Sequence, residues 1–248
     1  MSVITVQSRP TVIATVAHEL RGPLTALDAA SELLDRDFDL LDAEQVRVMV
    51  SSIRRRALGL RDLVENLLCA ATADDGRLLI HPRPVDLRAL LEDVRLLMEP
   101  VFTRKAQQLR LRTRPMLPLV GGDQHRLGQV FVNLLSNASK YSGPGTTIEV
   151  AVTMRAGRVH VTVADRGPGV PNEYTARLFE PYDRAGRTDG DGLGLGLSVV
   201  RSIIEAHGGR VGFANRDRGG AVFWIELAPV VTAPQLSVHQ LVERGMVG

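Results

Sequence analysis

The 248-residue chain carries one cysteine, Cys69, which excludes an intramolecular disulfide. Flanked by Leu67, Leu68 and Ala70, it reads as a small buried hydrophobe rather than a nucleophile. No run approaches the roughly 18 apolar residues that a membrane span requires. The opening residues, MSVITVQSRP, lack a charged region followed by an apolar core, so no signal peptide is expected. An excess of one charge is missing too. Lys+Arg 30 against Asp+Glu 28 leaves +2, and this balance gives no case for a nucleic-acid or membrane-surface partner. The run Arg54-Arg55-Arg56 interrupts an apolar heptad pattern and reads as a solvated helix face. His81, His125, His160, His207 and His239 show no ligand spacing, so no metal-binding histidine is expected. What is present is a composition, 44% hydrophobic, able to bury real cores in a cytoplasmic globular protein.

Two grammars follow one another. From Thr11 to Ala73 apolar residues recur at helical spacing, first as Ile13, Val16, Leu20, Leu24, Leu27 and Leu34. After a break at Asp35–Asp39 a second helix starts at the N-cap Asp42, with Gln45 three residues on. Its stripe, Val46, Val50, Ile53, Ala57, Leu60, Val64 and Leu67, alternates steps of four and three like a coiled-coil seam. A hairpin this small cannot cover both stripes, so pairing with a second copy as a four-helix bundle is expected. Residues 1–73 therefore form a helical hairpin and 74–84, with a turn signal and two prolines, a linker. Residues 85–229 read as α/β, and 230–248 as an irregular tail. In the α/β part, helical spacing from Leu87 to Leu97 precedes a strand near Leu109–Arg112 and a helix over Gln124–Lys140. A hairpin of strands, Thr147–Met154 and Arg158–Ala164, leads into a loop from Gly167 to Gly192. A loop of that length in a compact domain is usually functional, often as a lid. A helix near Leu195–His207 and strands Arg210–Ala214 and Ala221–Leu227 close the domain. Trp224 in the last strand reads as packing.

Four segments carry chemistry. Asp165-Arg166-Gly167-Pro168-Gly169 follows a strand, where a carboxylate is placed to accept from an exocyclic amine and glycines let backbone approach a ligand. Gly192-Leu193-Gly194-Leu195-Gly196 opens a helix, whose free N–H groups suit phosphate. Its GxGxG spacing after a loop excludes a Rossmann fingerprint, and the lack of Gly-Lys-Ser/Thr excludes a Walker loop. On the helix before them, Asn133 and Asn137 stand one turn apart and Lys140 follows on the same side. Neutral oxygens plus a cation suit a Mg²⁺–triphosphate. The fourth segment is Ala17-His18-Glu19-Leu20-Arg21-Gly22-Pro23. At about 100° per residue, Val16, Leu20, Leu24, Leu27 and Leu34 lie roughly 160–240° from His18, which puts the imidazole on the solvent side. A neutral imidazole is a competent nucleophile, and Glu19 beside it can orient the ring and take its proton. Pro23 should bend the helix just after it.

In their order and spacing these segments resemble the transmitter core of sensor histidine kinases of two-component systems. His18-Glu19-Leu20-Arg21 with Pro23-Leu24 resembles the H box, and Asn133 to Tyr141 the N box. Asp165-x-Gly167-x-Gly169 resembles the G1 box, Leu178-Phe179-Glu180-Pro181-Tyr182 the F box, and Gly192-x-Gly194-x-Gly196 the G2 box. The match runs from about Thr11 to Pro229. It implies an α helical hairpin, a four-helix bundle as a dimer, followed by an α/β two-layer sandwich of the Bergerat ATP-binding type. It implies ATP and Mg²⁺ as ligands, His18 as phosphoacceptor and Glu19 as general base. Asn137 would bind Mg²⁺ with Asn133 nearby, while Lys140 and Tyr141 would contact phosphate and nucleoside. Asp165 would recognise the adenine amine, Gly167 and Gly169 would let backbone pass the base, and Gly192, Gly194 and Gly196 would line the triphosphate. Arg184 would reach the γ-phosphate. The implied partners are a second copy and the receiver domain of a response regulator.

Two departures stand out. Many relatives carry Thr or Asn four residues after the histidine to position water for dephosphorylating the partner. Here the residue is Gly22, so phosphatase activity is expected to be weak or absent, with Thr25 a poor substitute one turn further on. No sensor segment precedes His18, so the input is expected from another protein or from a longer chain of which this is a piece. The same nucleotide fold serves gyrase, Hsp90 and mismatch-repair ATPases, but those lack a histidine-bearing hairpin. A degenerate, ATP-sensing scaffold is countered by intact Asp165, Asn137, Lys140 and the glycines.

Overall fold

The computed structural model describes residues 9–74, 78–183 and 193–230. Helix α1 (Arg9–Arg36) and helix α2 (Ala43–Asp74) pack on each other as a hairpin. A single 3₁₀ turn, Phe38–Leu40, bridges them. The start of α2 is set by the expected capping box. The Gln45 N–H donates to Asp42 Oδ1 (2.8 Å), and the Asp42 N–H donates back to Gln45 Oε1 (2.9 Å). Pro23 lies inside α1, which continues through it as one helix. The seams are only partly covered. Leu24 is 48% exposed and Val50 49%, and along the described part of the hairpin only Cys69 is buried.

The second unit begins with β1 (Arg83–Val85), which takes two residues expected in the linker. It pairs antiparallel with β3 (Val120–Gly122) in a two-stranded sheet. Helix α3 (Leu87–Arg104) leads to β2 (Gln108–Thr113). Helix α4 (Gln124–Tyr141) is followed by β4 (Thr147–Arg155) and β5 (Arg158–Ala164). Helix α5 (Gly196–Ala206), β6 (Arg210–Asn215) and β7 (Ala221–Leu227) complete the order. The main sheet runs β2-β4-β5-β7-β6, with β2 parallel to β4 and the other pairs antiparallel.

Period-two alternation puts Val150, Val152, Val159, Val161, Val163, Phe223, Ile225 and Leu227 on one face of this sheet. Against them lie the apolar stripes of the helices, among them Leu91 and Val94 of α3, Phe131 and Leu134 of α4, and Val199 and Ile203 of α5. Each fully buried aliphatic side chain stabilises this interior by roughly 1.5–3 kcal/mol. The result is the two-layer sandwich expected from the sequence. The strands β1 and β3 and a 3₁₀ helix, Asn172–Arg177, inside the long loop were not foreseen.

Candidate functional site

Helix α4 is fixed at both ends. Asp123 is its N-cap, accepting from the Arg126 N–H at Oδ1 (3.1 Å) and the His81 N–H at Oδ2 (3.2 Å). Burial pushes the Asp123 carboxyl up, but the N–H groups of Arg126, His81 and His125 outweigh it and hold the carboxyl below its usual range. The Asp123 N–H donates to His207 Nε2 (2.9 Å), so the His207 proton sits on Nδ1, 2.7 Å from the Ile203 carbonyl oxygen. The end of α5 is thereby tied to the start of α4.

At the other end of α4, the Gln107 amide reaches three carbonyl oxygens. Its Nε2 lies 3.1 Å from each of those of Ser139, Ser142 and Gly143, while Ser139 Oγ donates to Oε1 (2.6 Å). Lys105 Nζ adds a bond to the Ser139 carbonyl at 2.8 Å. These donors satisfy carbonyls that a helix end leaves without partners, just where Lys140 and Tyr141 project. Both are exposed, with Lys140 Nζ 5.6 Å from the centre of the Tyr141 ring. Ser142 Oγ then accepts from the Arg166 N–H (3.2 Å), joining α4 to the turn after β5.

Asp165 is 4% exposed. Its Oδ1 accepts from the Gly167 N–H (2.8 Å) and the Ala221 N–H (3.0 Å), which leaves Oδ2 as the atom for a ligand's amine. Its own backbone is held by the Ala221 carbonyl and by Arg216, which donates to the Asp165 carbonyl oxygen at 2.8 Å. Gly167 lies against the backbone of Tyr141, where a Cβ would come 2.7 Å from the carbonyl oxygen. Gly169, with φ +81°, packs on the Asn215 amide. The turn can follow this path only because these two residues lack side chains.

The start of α5 completes the cluster. Gly194 has φ +71°, and its carbonyl accepts from the Tyr182 N–H (3.2 Å), so the F-box end and the G2-box run are locked together. Leu193 and Leu195 on either side are buried. Gly196 opens α5 beside both predicted asparagines. A Cβ there would lie 3.7 Å from Asn133 Oδ1 and 3.8 Å from Asn137 Nδ2. Leu195, the N-cap residue of this helix, makes no side-chain cap of its own, and the N–H groups of a helix start suit an anion.

The fold thus brings Asn133, Asn137 and Gly196 together, and joins Lys140 and Tyr141 through Ser142 to Asp165, Gly167 and Gly169. Arg184, Gly192 and the side chains of His18 and Glu19 lie outside the described residues; the backbone of the last two is helical, within α1. Gln107, Ser142, Asn215 and Arg216 were not singled out from the sequence. The Gly219-Gly220 pair ahead of a strand was the available signal for the last two. Gln107 offered none. Among the described residues no group of three His, Cys, Asp or Glu side chains could hold a metal ion, and no helix is long and apolar enough to cross a membrane.

The buried carboxylate held through one oxygen, the backbone-lined turn and the glycine-opened helix start beside two amides have the chemistry of a purine nucleotide site. Residues 122–230 match the histidine kinase-, DNA gyrase B- and HSP90-like ATPase family, and residues 8–76 match the His Kinase A (phospho-acceptor) domain. The adaptive-response sensory kinase SasA of Thermosynechococcus vestitus is 36% identical over 232 residues, 89% of this chain and 60% of that one. The chain spans little more than half the length of the SasA relatives it matches. The structure of full-length ShkA in complex with AMPPNP superposes with a TM-score of 0.64 at 32% identity, covering 89% of this chain and 46% of that one. The catalytic domain of the histidine kinase ThkA gives 0.55 at 30% identity over 60% of this chain and 96% of the other. ThkA in complex with the response regulator protein TrrA gives 0.63 at 25% identity, over 91% and 63%. With a phosphoacceptor hairpin ahead of an ATPase-type sandwich, the chain belongs to the sensor histidine kinase family and carries its transmitter core.

Proposed function

We propose that the chain binds ATP between α4 and α5, phosphorylates His18, and passes the phosphoryl group to an aspartate on the receiver domain of a response regulator. The observation that carries this reading is Asp165. Two backbone N–H groups hold Oδ1, and Oδ2 is presented to the adenine amine. Gly196 beside Asn133 and Asn137 supports a triphosphate running from there along the start of α5. Asn137 would hold Mg²⁺, which would supply charge neutralisation on the phosphates. Lys140 and Tyr141 contact phosphate and nucleoside, Gly192 and Gly194 line the triphosphate, and Arg184 meets the γ-phosphate. An imidazole nitrogen of His18 attacks the γ-phosphorus, the bond to the bridging oxygen of ADP breaks, and Glu19 takes the imidazole proton.

The exposed seams at Leu24 and Val50 support a second copy completing a four-helix bundle. The hairpin (1–73), linker (74–84), catalytic domain (85–229) and tail (230–248) then act in the cytoplasm, with input from a separate sensor protein or from further chain. ThkA's complex with a response regulator supports a receiver domain as the phosphate's destination. Incubating the protein with radiolabelled ATP and Mg²⁺ tests the reading. Acid-labile, base-stable label that disappears in His18→Gln and falls at least tenfold in Asp165→Asn is the expected result. Label retained in His18→Gln would refute the phosphoacceptor.

A further inference from the structure

The rung that joins Asp165 to β7 is diverted. Strands β5 and β7 pair antiparallel from Val159 opposite Leu227 to Ala164 opposite Val222. Asp165 and Ala221 come next, and the Asp165 N–H donates to the Ala221 carbonyl oxygen at 2.9 Å. In a regular antiparallel ladder such a pair exchanges both bonds, so the Ala221 N–H would donate back to the Asp165 carbonyl. Here it goes to the carboxylate instead, reaching Oδ1 at 3.0 Å. The Asp165 carbonyl, left without its ladder donor, accepts from Arg216 Nη1 at 2.8 Å. A side chain stands in for a backbone N–H, and that N–H is released to hold the carboxylate.

Arg216 is placed for this by the turn it starts. Its N–H donates to the Gly220 carbonyl oxygen (2.9 Å) and its carbonyl accepts from the Gly219 N–H (3.1 Å). These bonds close the hairpin between β6 and β7 and set the arginine beside the end of β5. Asp165 is 4% exposed, so its carbonyl has little water to turn to. With Arg216 removed, the nearest donor for that carbonyl is the Ala221 N–H, and a buried carbonyl is costly to leave without one. Closing the ladder in this way takes one of two donors from Oδ1 and leaves the carboxylate held by Gly167 alone.

We propose that Arg216 is a positioning residue that sets base specificity: by occupying the Asp165 carbonyl it keeps the Ala221 N–H on Oδ1, and so keeps Oδ2 aimed at the exocyclic amine of adenine. This rests on Asp165 being the residue that reads adenine. A merely structural arginine would affect every nucleotide alike, whereas this one affects only a base that carries the amine.

The experiment compares ADP with purine riboside 5′-diphosphate, the same nucleotide without the amine, each titrated with Mg²⁺ by calorimetry into the full chain. Arg216→Met keeps the stem and loses every donor. Arg216→Lys keeps a cationic donor. Arg216→Gln, whose amide stops at the level of Nε and falls short of the carbonyl, serves where Arg216→Met fails to fold. The parent is expected to prefer ADP by at least tenfold. In Arg216→Met and Arg216→Gln that preference should shrink about two- to tenfold, the span of one hydrogen bond of ordinary strength. The loss should fall on ADP alone, with Arg216→Lys close to the parent. Equal weakening of both nucleotides, or an undiminished preference, overturns the role of Arg216 while the parent's preference leaves the Asp165 reading standing. A parent that binds both nucleotides equally well overturns the Asp165 reading itself, and the Arg216 proposal with it.

Discussion

Val170 and Asn215 exchange two hydrogen bonds, the Val170 N–H donating to Oδ1 at 2.8 Å and Asn215 Nδ2 donating to the Val170 carbonyl at 2.7 Å. The side-chain amide behaves like one more rung of a β-ladder and pins the turn that carries Asp165, Gly167 and Gly169 to the end of β6. At about 0.5–1.5 kcal/mol per hydrogen bond, its loss should loosen that turn. Asn215→Ala is expected to weaken binding of a non-hydrolysable ATP analogue about three- to tenfold by titration calorimetry. Asn215→Asp, which keeps the acceptor and loses the donor, should fall between. Equal affinity in all three proteins would remove Asn215 from the site.

Gly220 sets the other side of the same turn. With φ +93°, it approaches Asp165 so closely that a Cβ would overlap the Asp165 carbonyl oxygen. Relief needs movement of the backbone that aims the carboxylate, because no flexible side chain is there to yield. Gly220→Ala is expected to cost more than about 2 kcal/mol in urea unfolding. Gly22→Ala, in a helix with nothing within 4 Å of the added carbon, should be neutral or slightly stabilising. Similar losses in both would show that the approach to Asp165 is not the constraint.

Much of this was legible because it is local. The Asp42–Gln45 box and the one-turn spacing of Asn133 and Asn137 follow from helical period, which fixes neighbours on a surface without reference to the rest of the chain. The alternation in β5 and β7 likewise fixed their inward faces. Gln107, Asn66 and Asn215 were not legible for the converse reason. Their partners lie more than thirty residues away, at Ser139, Asn133 and Val170, and no period in a sequence names a distant partner. The strands β1 and β3, three residues each, are too short to show alternation.

The surroundings of Gly22 bear on dephosphorylation. Its Cβ position is open, so packing does not demand a glycine there. The missing side chain is therefore not a steric need. The chain is expected to leave a pre-phosphorylated response regulator, given ADP, near its intrinsic rate of phosphate loss. Gly22→Thr or Gly22→Asn should speed that loss while stability rises by a few tenths of a kcal/mol, as helix propensity dictates. Rapid loss with the parent chain, abolished by Thr25→Ala, would instead assign water positioning to Thr25.

Asp123 gives the fold an acid dependence whose sign can be worked out. Its folded carboxyl lies below the ordinary range because the N–H groups of Arg126, His81 and His125 favour the anion more than burial disfavours it. The unfolded chain therefore takes up the proton first as pH falls. The stability this residue contributes is fully present above the unfolded value of about 3.9 and is lost as pH drops through the lower folded value. Loosening there should reach the nucleotide site, since the cap starts the helix bearing Asn133 and Asn137, and its own N–H holds His207 at the end of α5. Asn can cap the helix through Oδ1 but puts an amide nitrogen where Oδ2 accepts from the His81 N–H, so Asp123→Asn should lose stability at pH 7. Below about pH 4 the two proteins should diverge in slope, with the parent losing stability faster. Urea unfolding of both between pH 7 and pH 2.5 makes the comparison, and parallel curves would assign the acid response to other carboxylates.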